Sequence, residues 1–121
     1  MRHVSPVGRL IAYLVVATLL PTQAAWAHAQ LTGSEPAADA ILANSPHEIV
    51  LIFSRAVTPV SVSLVGPDGE LVETVDEALA NGVRVVLPVT APLNRGTYVV
   101  SFSVLSDDAH PINGGLRFSM S

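Results

Sequence analysis

The sequence contains no cysteine, and this absence excludes several classes of functional site. Without a thiol, the protein cannot form a disulfide framework, a zinc–thiolate centre or a cysteine nucleophile. No serine lies in a nucleophile-elbow pattern, and no glycine-rich phosphate-binding loop is present.

Lysine is absent as well, so the positive side chains are limited to six arginines. Arg2 and Arg9 belong to an N-terminal leader, and beyond it four arginines stand against ten acidic residues, a net charge of −6. Such a surface repels phosphate backbones, which argues against nucleic-acid binding and favours cations as ligands. Half of the 121 residues are apolar, which is enough for one domain with a single core.

The N-terminal apolar run is too short to cross a membrane. It covers the eleven residues from Leu10 to Leu20, whereas a transmembrane helix needs about 20. Two arginines precede the run, Pro21 ends it, and Ala25-Trp26-Ala27 offers a small-x-small cleavage pattern. We therefore expect residues 1–27 to be a cleaved signal peptide, with an uncleaved anchor as the alternative. His28 then becomes the first residue of the mature domain, residues 28–121, which is predicted to have no membrane span.

The mature chain has the pattern of short strands separated by turns, with no sustained helical period. The sequence favours an all-β, immunoglobulin-like Greek-key β-sandwich or barrel of about seven strands. A loop is predicted at Gly33–Pro46, and Pro67-Asp68-Gly69 predicts a hairpin turn. The predicted strands include Glu48–Phe53, Val60–Val65, Leu71–Val75, Val83–Leu87, Thr97–Val104 and Gly114–Met120.

One segment adds a specific expectation about the fold. Leu93 to Tyr98 has the form Leu-x-x-Gly-x-Tyr and leads into a strand, which is typical of the tyrosine corner of immunoglobulin-like sandwiches. The Tyr98 hydroxyl is therefore predicted to bond nearby backbone and to have a structural role. Phe53, Phe102 and Phe118 are predicted to lie in the core.

The segment from Ser106 to Pro111 contains the main candidate for a functional site. Asp108 and His110 are two residues apart, and in an extended segment such residues project to the same side and can converge on one ion. A polar surface turn explains the same spacing, so a metal site requires a third ligand. His47, at the start of a strand, is predicted to be a surface imidazole.

The new N-terminus offers the missing donors. After cleavage, His28 can bind one metal through its α-amine and its imidazole, while Asp108 and His110 add an oxygen and a second imidazole. Three nitrogens and one oxygen suit a tetragonal ion; Cu(II) binds such donors most tightly among first-row divalent metals, whereas zinc prefers tetrahedral sites. We predict one Cu(II) per chain, which requires residue 28 to lie beside the start of the last strand.

Several motifs occur in order along the mature chain: His28-Ala29, Ser34-Glu35-Pro36-Ala37, Ile49 to Ser54, Leu93 to Tyr98, and Ser106 to Pro111 followed by Gly114. Together they resemble those of the CopC-type periplasmic copper-binding proteins over essentially the whole mature length. The resemblance implies a Greek-key β-barrel in the periplasm that holds Cu(II) for copper resistance, homeostasis or supply, with His28, Asp108 and His110 as ligands. It also implies delivery to an inner-membrane CopD-type protein.

Two features depart from the pattern of this family. Many relatives carry a methionine-rich Cu(I) site, but Met120 is the only methionine after residue 27, so no thioether site is expected. Relatives often have a carboxylate directly after the Phe-Ser pair, where this chain has Arg55. Loss of such a contact to a ligand can weaken metal binding about 10 to 100-fold. Asp107 is a candidate substitute, with a solvated turn carboxylate as its alternative role.

Three functional classes remain open at the level of sequence. A metal-binding carrier without enzymatic activity is favoured, because nothing else in the chain indicates catalysis. A copper oxidative enzyme of the lytic polysaccharide monooxygenase type would also use an N-terminal histidine. Such enzymes usually need an extended, often aromatic, substrate surface. After residue 27, Tyr98 and three phenylalanines are the only tyrosine, tryptophan or phenylalanine residues in the sequence. A metal-free structural domain is the third class.

Overall fold

The computed structural model describes residues 28–121, so the predicted signal peptide, residues 1–27, lies outside the described residues. The described part is almost entirely β-structure, with one short 3₁₀ turn at Asp76–Ala78. Its strands are β1 Leu31–Glu35, β2 Ile41–Leu42, β3 Glu48–Val65, β4 Gly82–Pro88, β5 Gly96–Leu105 and β6 Pro111–Met120. Over residues 28–121, no helix has the length and apolar character that a bilayer span requires.

Strand β3 connects the two halves of a sheet that curls around one core. Its first part pairs antiparallel with β1, where Leu31 lies opposite Phe53, and with β4 on the other side. Its second part pairs with β5 from Thr58 opposite Leu105 onward, and β5 in turn pairs with β6. The register of β3 is irregular between the two parts. Such irregularities bend a strand and let it pass from one layer of a sandwich into the other.

The predicted all-β Greek-key fold class is confirmed, but the strand boundaries differ from the prediction. The predicted strands 48–53 and 60–65 form one continuous strand, because the bulged residues between them stay extended although their apolar alternation breaks down. The predicted strand 71–75 is wrong. It makes only isolated bridges at Leu71 and Thr74, so the turn at residues 67–69 reverses the chain without starting a regular hairpin. The predicted loop 33–46 contains the end of β1 and all of β2.

The core lies between the two halves of the sheet and contains the predicted phenylalanines. Phe53, Phe102 and Phe118 are buried, and the rings of Phe53 and Phe102 meet edge to face with centroids 5.5 Å apart. The Phe102 ring also lies against the backbone of Gly114, where an added Cβ would be 2.7 Å from a ring carbon. Glycine is therefore required at this position of β6 for the ring to keep its place.

The tyrosine corner is confirmed. The hydroxyl of Tyr98 donates a hydrogen bond to the backbone carbonyl of Asn94 at 2.8 Å, and its ring stacks on Phe118 with centroids 5.6 Å apart. Since Tyr98 is buried, this bond satisfies a polar group that would otherwise be costly in the core. Tyr98 thus serves the fold.

Candidate metal centre

The arm formed by residues 28–30 is fixed against the middle of β3. Ala29 is buried in the core. The backbone N–H of Gln30 donates to Oγ of Ser54 at 2.9 Å, and the N–H of Ser54 donates to the carbonyl of Gln30 at 2.8 Å. These contacts fix the backbone on the C-terminal side of His28. No sequence signal indicates these contacts beyond the position of Ser54 directly after the apolar run 49–53.

Asp108 and His110 lie in the five-residue loop 106–110 between β5 and β6. Two backbone hydrogen bonds close the loop, from the N–H of Ser106 to the carbonyl of His110 and from the N–H of Ala109 to the carbonyl of Ser106, each 2.9 Å long. Ala109 has a φ of 65°, a left-handed conformation that reverses the chain. The extended geometry predicted for Asp108 and His110 is therefore wrong, and a tight turn brings them together instead.

The bend of β3 explains why the arm and the loop meet. Phe53 pairs with β1, the strand that follows the arm, and Thr58 pairs with Leu105, the last residue before the loop. Only residues 54–57 separate these two pairings along β3. The arm and the loop therefore lie beside the same short stretch of backbone, although about 80 residues of sequence separate them.

The structure brings the side chains of His28, Asp108 and His110 together. Oδ2 of Asp108 lies 3.3 Å from Nδ1 of His28 and 3.1 Å from Nδ1 of His110, and the centroids of the two imidazole rings are 4.3 Å apart. Each of the three residues offers one ligand atom, and these atoms all lie within 4.8 Å of one another. Among residues 28–121, this is the one group of three or more such residues that could hold a metal ion.

These distances suit a single small metal ion. Two donors bound about 2.0 Å from the same ion and at a right angle to each other lie roughly 2.8 Å apart. The observed separations of 3.1 and 3.3 Å exceed this value only slightly, so small side-chain rotations suffice to enclose the ion. The donors are two imidazole nitrogens and one carboxylate oxygen, a set that suits copper, zinc or nickel better than magnesium or calcium.

A buried serine holds the Asp108 carboxylate in place. Oγ of Ser106, which is 5% exposed, donates a hydrogen bond to Oδ1 of Asp108, and the backbone N–H of His110 lies 3.4 Å from the same oxygen. The bond from Ser106 is the main reason that the pKa of Asp108 falls from 3.8 to about 2, with smaller contributions from His110 and His28. The Asp108 carboxylate therefore remains ionised at any pH at which a neutral imidazole can bind metal.

Sequence reasoning missed this function of Ser106. A serine two residues before an aspartate was nevertheless a usable signal, because short polar side chains at this spacing commonly bond within a turn.

The other residues considered from the sequence lie outside the three-residue group. His47 is exposed at the position before β3, and Asp107 is exposed beside Asp108 without joining its hydrogen bonds. Arg55 is exposed next to Ser54, where the arm is attached. Met120 is buried in the core.

The chain is similar to known proteins over most of its length. The family model for the CopC domain matches residues 31–121. The chain is 33% identical over 113 residues to protein YobA of Escherichia coli K12, covering 90% of this chain and 91% of that protein. It is 28% identical over 116 residues to copper resistance protein C of Xanthomonas campestris pv. juglandis, covering 88% and 91% of the two chains.

Solved structures with the same fold include CopC and PcoC proteins. CopC from Methylosinus trichosporium OB3b is 29% identical with a TM-score of 0.63, and the match covers 78% of this chain and 94% of that one. PcoC, a methionine-rich copper resistance protein from Escherichia coli, is 30% identical with a TM-score of 0.66, and the match covers 78% of this chain and 100% of that one.

Proposed function

Because this chain belongs to the CopC family of copper resistance proteins, we propose that its exported form binds one Cu(II) ion through His28, Asp108 and His110. The observation that carries the proposal is the convergence of three ligand atoms within 4.8 Å. Asp108 and His110 lie inside the segment that matches the family model, and His28 lies three residues before it.

The orientation of His28 supports a fourth donor. Its Nδ1, the ring nitrogen nearer the main chain, is directed at Asp108. Once residues 1–27 are removed, the α-amine of His28 can bind the same ion as this nitrogen and close a small chelate ring. The resulting set of three nitrogens and one oxygen favours tetragonal Cu(II).

Exposure of the site supports a carrier rather than an enzyme. The side chains of His28 and His110 are 44% and 63% exposed, so the ion would be open to exchange with another protein. We propose that the protein holds copper in the periplasm for resistance or homeostasis and delivers it to an inner-membrane partner of the CopD type. Within residues 28–121, Tyr98 and the three phenylalanines are buried in the core, so this part of the chain presents no wide surface of aromatic rings of the kind that an oxidative enzyme would use to bind polysaccharide.

The proposed oxidation state follows from the donors. PcoC of Escherichia coli is described as methionine-rich, whereas Met120 is the only methionine after residue 27 in this chain and is 6% exposed. Soft thioether ligands select Cu(I). With imidazole and carboxylate donors instead, we expect Cu(II) to be the form that is bound.

Electron paramagnetic resonance of protein beginning at His28 and loaded with one equivalent of Cu(II) tests this assignment. We expect a tetragonal spectrum with nitrogen coupling. His110→Ala should remove one coupled nitrogen and lower the affinity for Cu(II). Loss of a group that only supports a ligand costs about 10 to 100-fold in affinity, and loss of the ligand itself should cost at least as much.

His47→Ala is the matched control, because His47 is an exposed histidine outside the group. It should leave both the spectrum and the affinity unchanged. A spectrum that is the same in wild type and His110→Ala would show that His110 is not a ligand.

A further inference from the structure

The two oxygens of the Asp108 carboxylate have different partners. Oδ2 faces the Nδ1 atoms of both histidines, at 3.3 and 3.1 Å. Oδ1 faces the opposite way, toward Oγ of Ser106 and the backbone N–H of His110. One oxygen is therefore directed at the candidate metal position, and the other is engaged within the loop.

The single hydroxyl hydrogen of Ser106 determines which partner Oδ1 of Asp108 has. A hydroxyl has one hydrogen to donate, and Oγ lies near two acceptors, Oδ1 of Asp108 and, at 3.3 Å, the carbonyl of His110. The carboxylate is charged and closer, so it takes the hydrogen. Oγ is then free to accept from the N–H of His110, which lies 3.2 Å away.

The surroundings of Ser106 keep this arrangement rigid. The residue is 5% exposed, and its backbone N–H bonds the carbonyl of His110, so its side chain has little freedom to move. Rotation of the carboxylate would break a charge-assisted hydrogen bond and leave the hydroxyl with only the longer contact to the His110 carbonyl.

We propose that Ser106 is a positioning residue that keeps Oδ1 of Asp108 away from the metal, so that Asp108 binds through Oδ2 alone. This role rests on the proposed copper site, and it specifies which oxygen of the Asp108 carboxylate binds the metal. A one-oxygen carboxylate keeps the coordination number low, as tetragonal Cu(II) prefers, whereas Ca²⁺ readily accepts both oxygens of a carboxylate. Ser106 would thus contribute to the choice of metal without touching it.

The test compares Ser106→Ala with wild type, both beginning at His28 and loaded with Cu(II). Ser106→Ala is expected to weaken Cu(II) binding about 10 to 100-fold in competition with a calibrated chelator, the usual effect of losing a group that orients a ligand. It should also change the copper hyperfine splitting in the electron paramagnetic resonance spectrum, which a purely structural role would leave alone. Ser106→Thr keeps the hydroxyl and should restore the wild-type spectrum.

Ser101→Ala is the matched control, since Ser101 is an exposed serine on β5, the strand that leads into the loop 106–110. It should behave as wild type. If Ser106→Ala has wild-type affinity and spectrum, the positioning role is wrong while the copper site stands. If wild type itself binds no Cu(II), the proposed function fails first.

A crystal structure of the Cu(II)-loaded wild type decides the matter even if Ser106→Ala does not fold. The expected result is one Asp108 oxygen on the metal and the other on Oγ of Ser106. A carboxylate that binds copper through both oxygens, or Oγ itself on the metal, would overturn the proposal.

Discussion

One extra glycine before His28 is expected to lower Cu(II) affinity by more than about 100-fold. The α-amine of His28 is a proposed ligand, and loss of a ligand should exceed the roughly 10 to 100-fold effect of losing a group that only supports one. In the precursor, the same nitrogen belongs to the Ala27–His28 peptide bond and has no lone pair free for a metal. Removal of residues 1–27 would therefore complete the site.

The pH dependence of binding provides a second observable in the same experiment. The α-amine and the imidazoles must be deprotonated before they bind metal, so affinity should fall as the pH is lowered from about 8 to about 5. Asp108, with a pKa of about 2, stays ionised over this range. Competition against a calibrated chelator at several pH values measures both effects. Equal affinities for the extended and unextended proteins would show that the terminal amine is not a ligand.

Phe53→Ala is expected to destabilise the domain by about 3 to 5 kcal/mol. The ring is 1% exposed and meets Phe102 edge to face, so its removal leaves a cavity at the centre of the core. For a domain of this size, about 4 to 8 °C of melting temperature is lost per kcal/mol, which predicts a fall of more than about 12 °C.

Thermal unfolding followed by circular dichroism measures the change. Val60→Ala is a suitable control, because Val60 lies on the same strand but is 60% exposed, and it should alter stability by no more than about 0.5 kcal/mol. A melting temperature for Phe53→Ala close to that of wild type would contradict the burial of this ring.

Apolar patterning in the sequence was sufficient to predict the class of the fold and its core. Tyr98 and the three phenylalanines are placed correctly because burial of large apolar side chains and a local Leu-x-x-Gly-x-Tyr signal determine their positions. The continuity of β3 could not be predicted, since residues 54–59 do not alternate and their extended form depends on pairing with β4 and β5. The opposite holds for Leu71–Val75, where the residues have a strand-like pattern but form only isolated bridges with neighbouring strands.

The sequence indicates which residues could form the candidate site but not their geometry, and their role as metal ligands stays a prediction. His28, Asp108 and His110 are indicated by donor chemistry and by the cleavage pattern, and the structure brings them together. The turn at Ala109 and the hydrogen bond from Ser106 depend on how the loop closes, which the spacing of donors does not reveal. The contact of the arm with Ser54 joins residues far apart in sequence and depends on the bend of β3.

We propose that the exported protein begins at His28 and binds one Cu(II). Native mass spectrometry of protein recovered from the periplasm, with and without one equivalent of Cu(II), tests both parts together. We expect a mass corresponding to residues 28–121 and, with copper, a single species that carries one ion. A mass that retains residues 1–27, or a protein of the expected mass that takes up no copper, would contradict it.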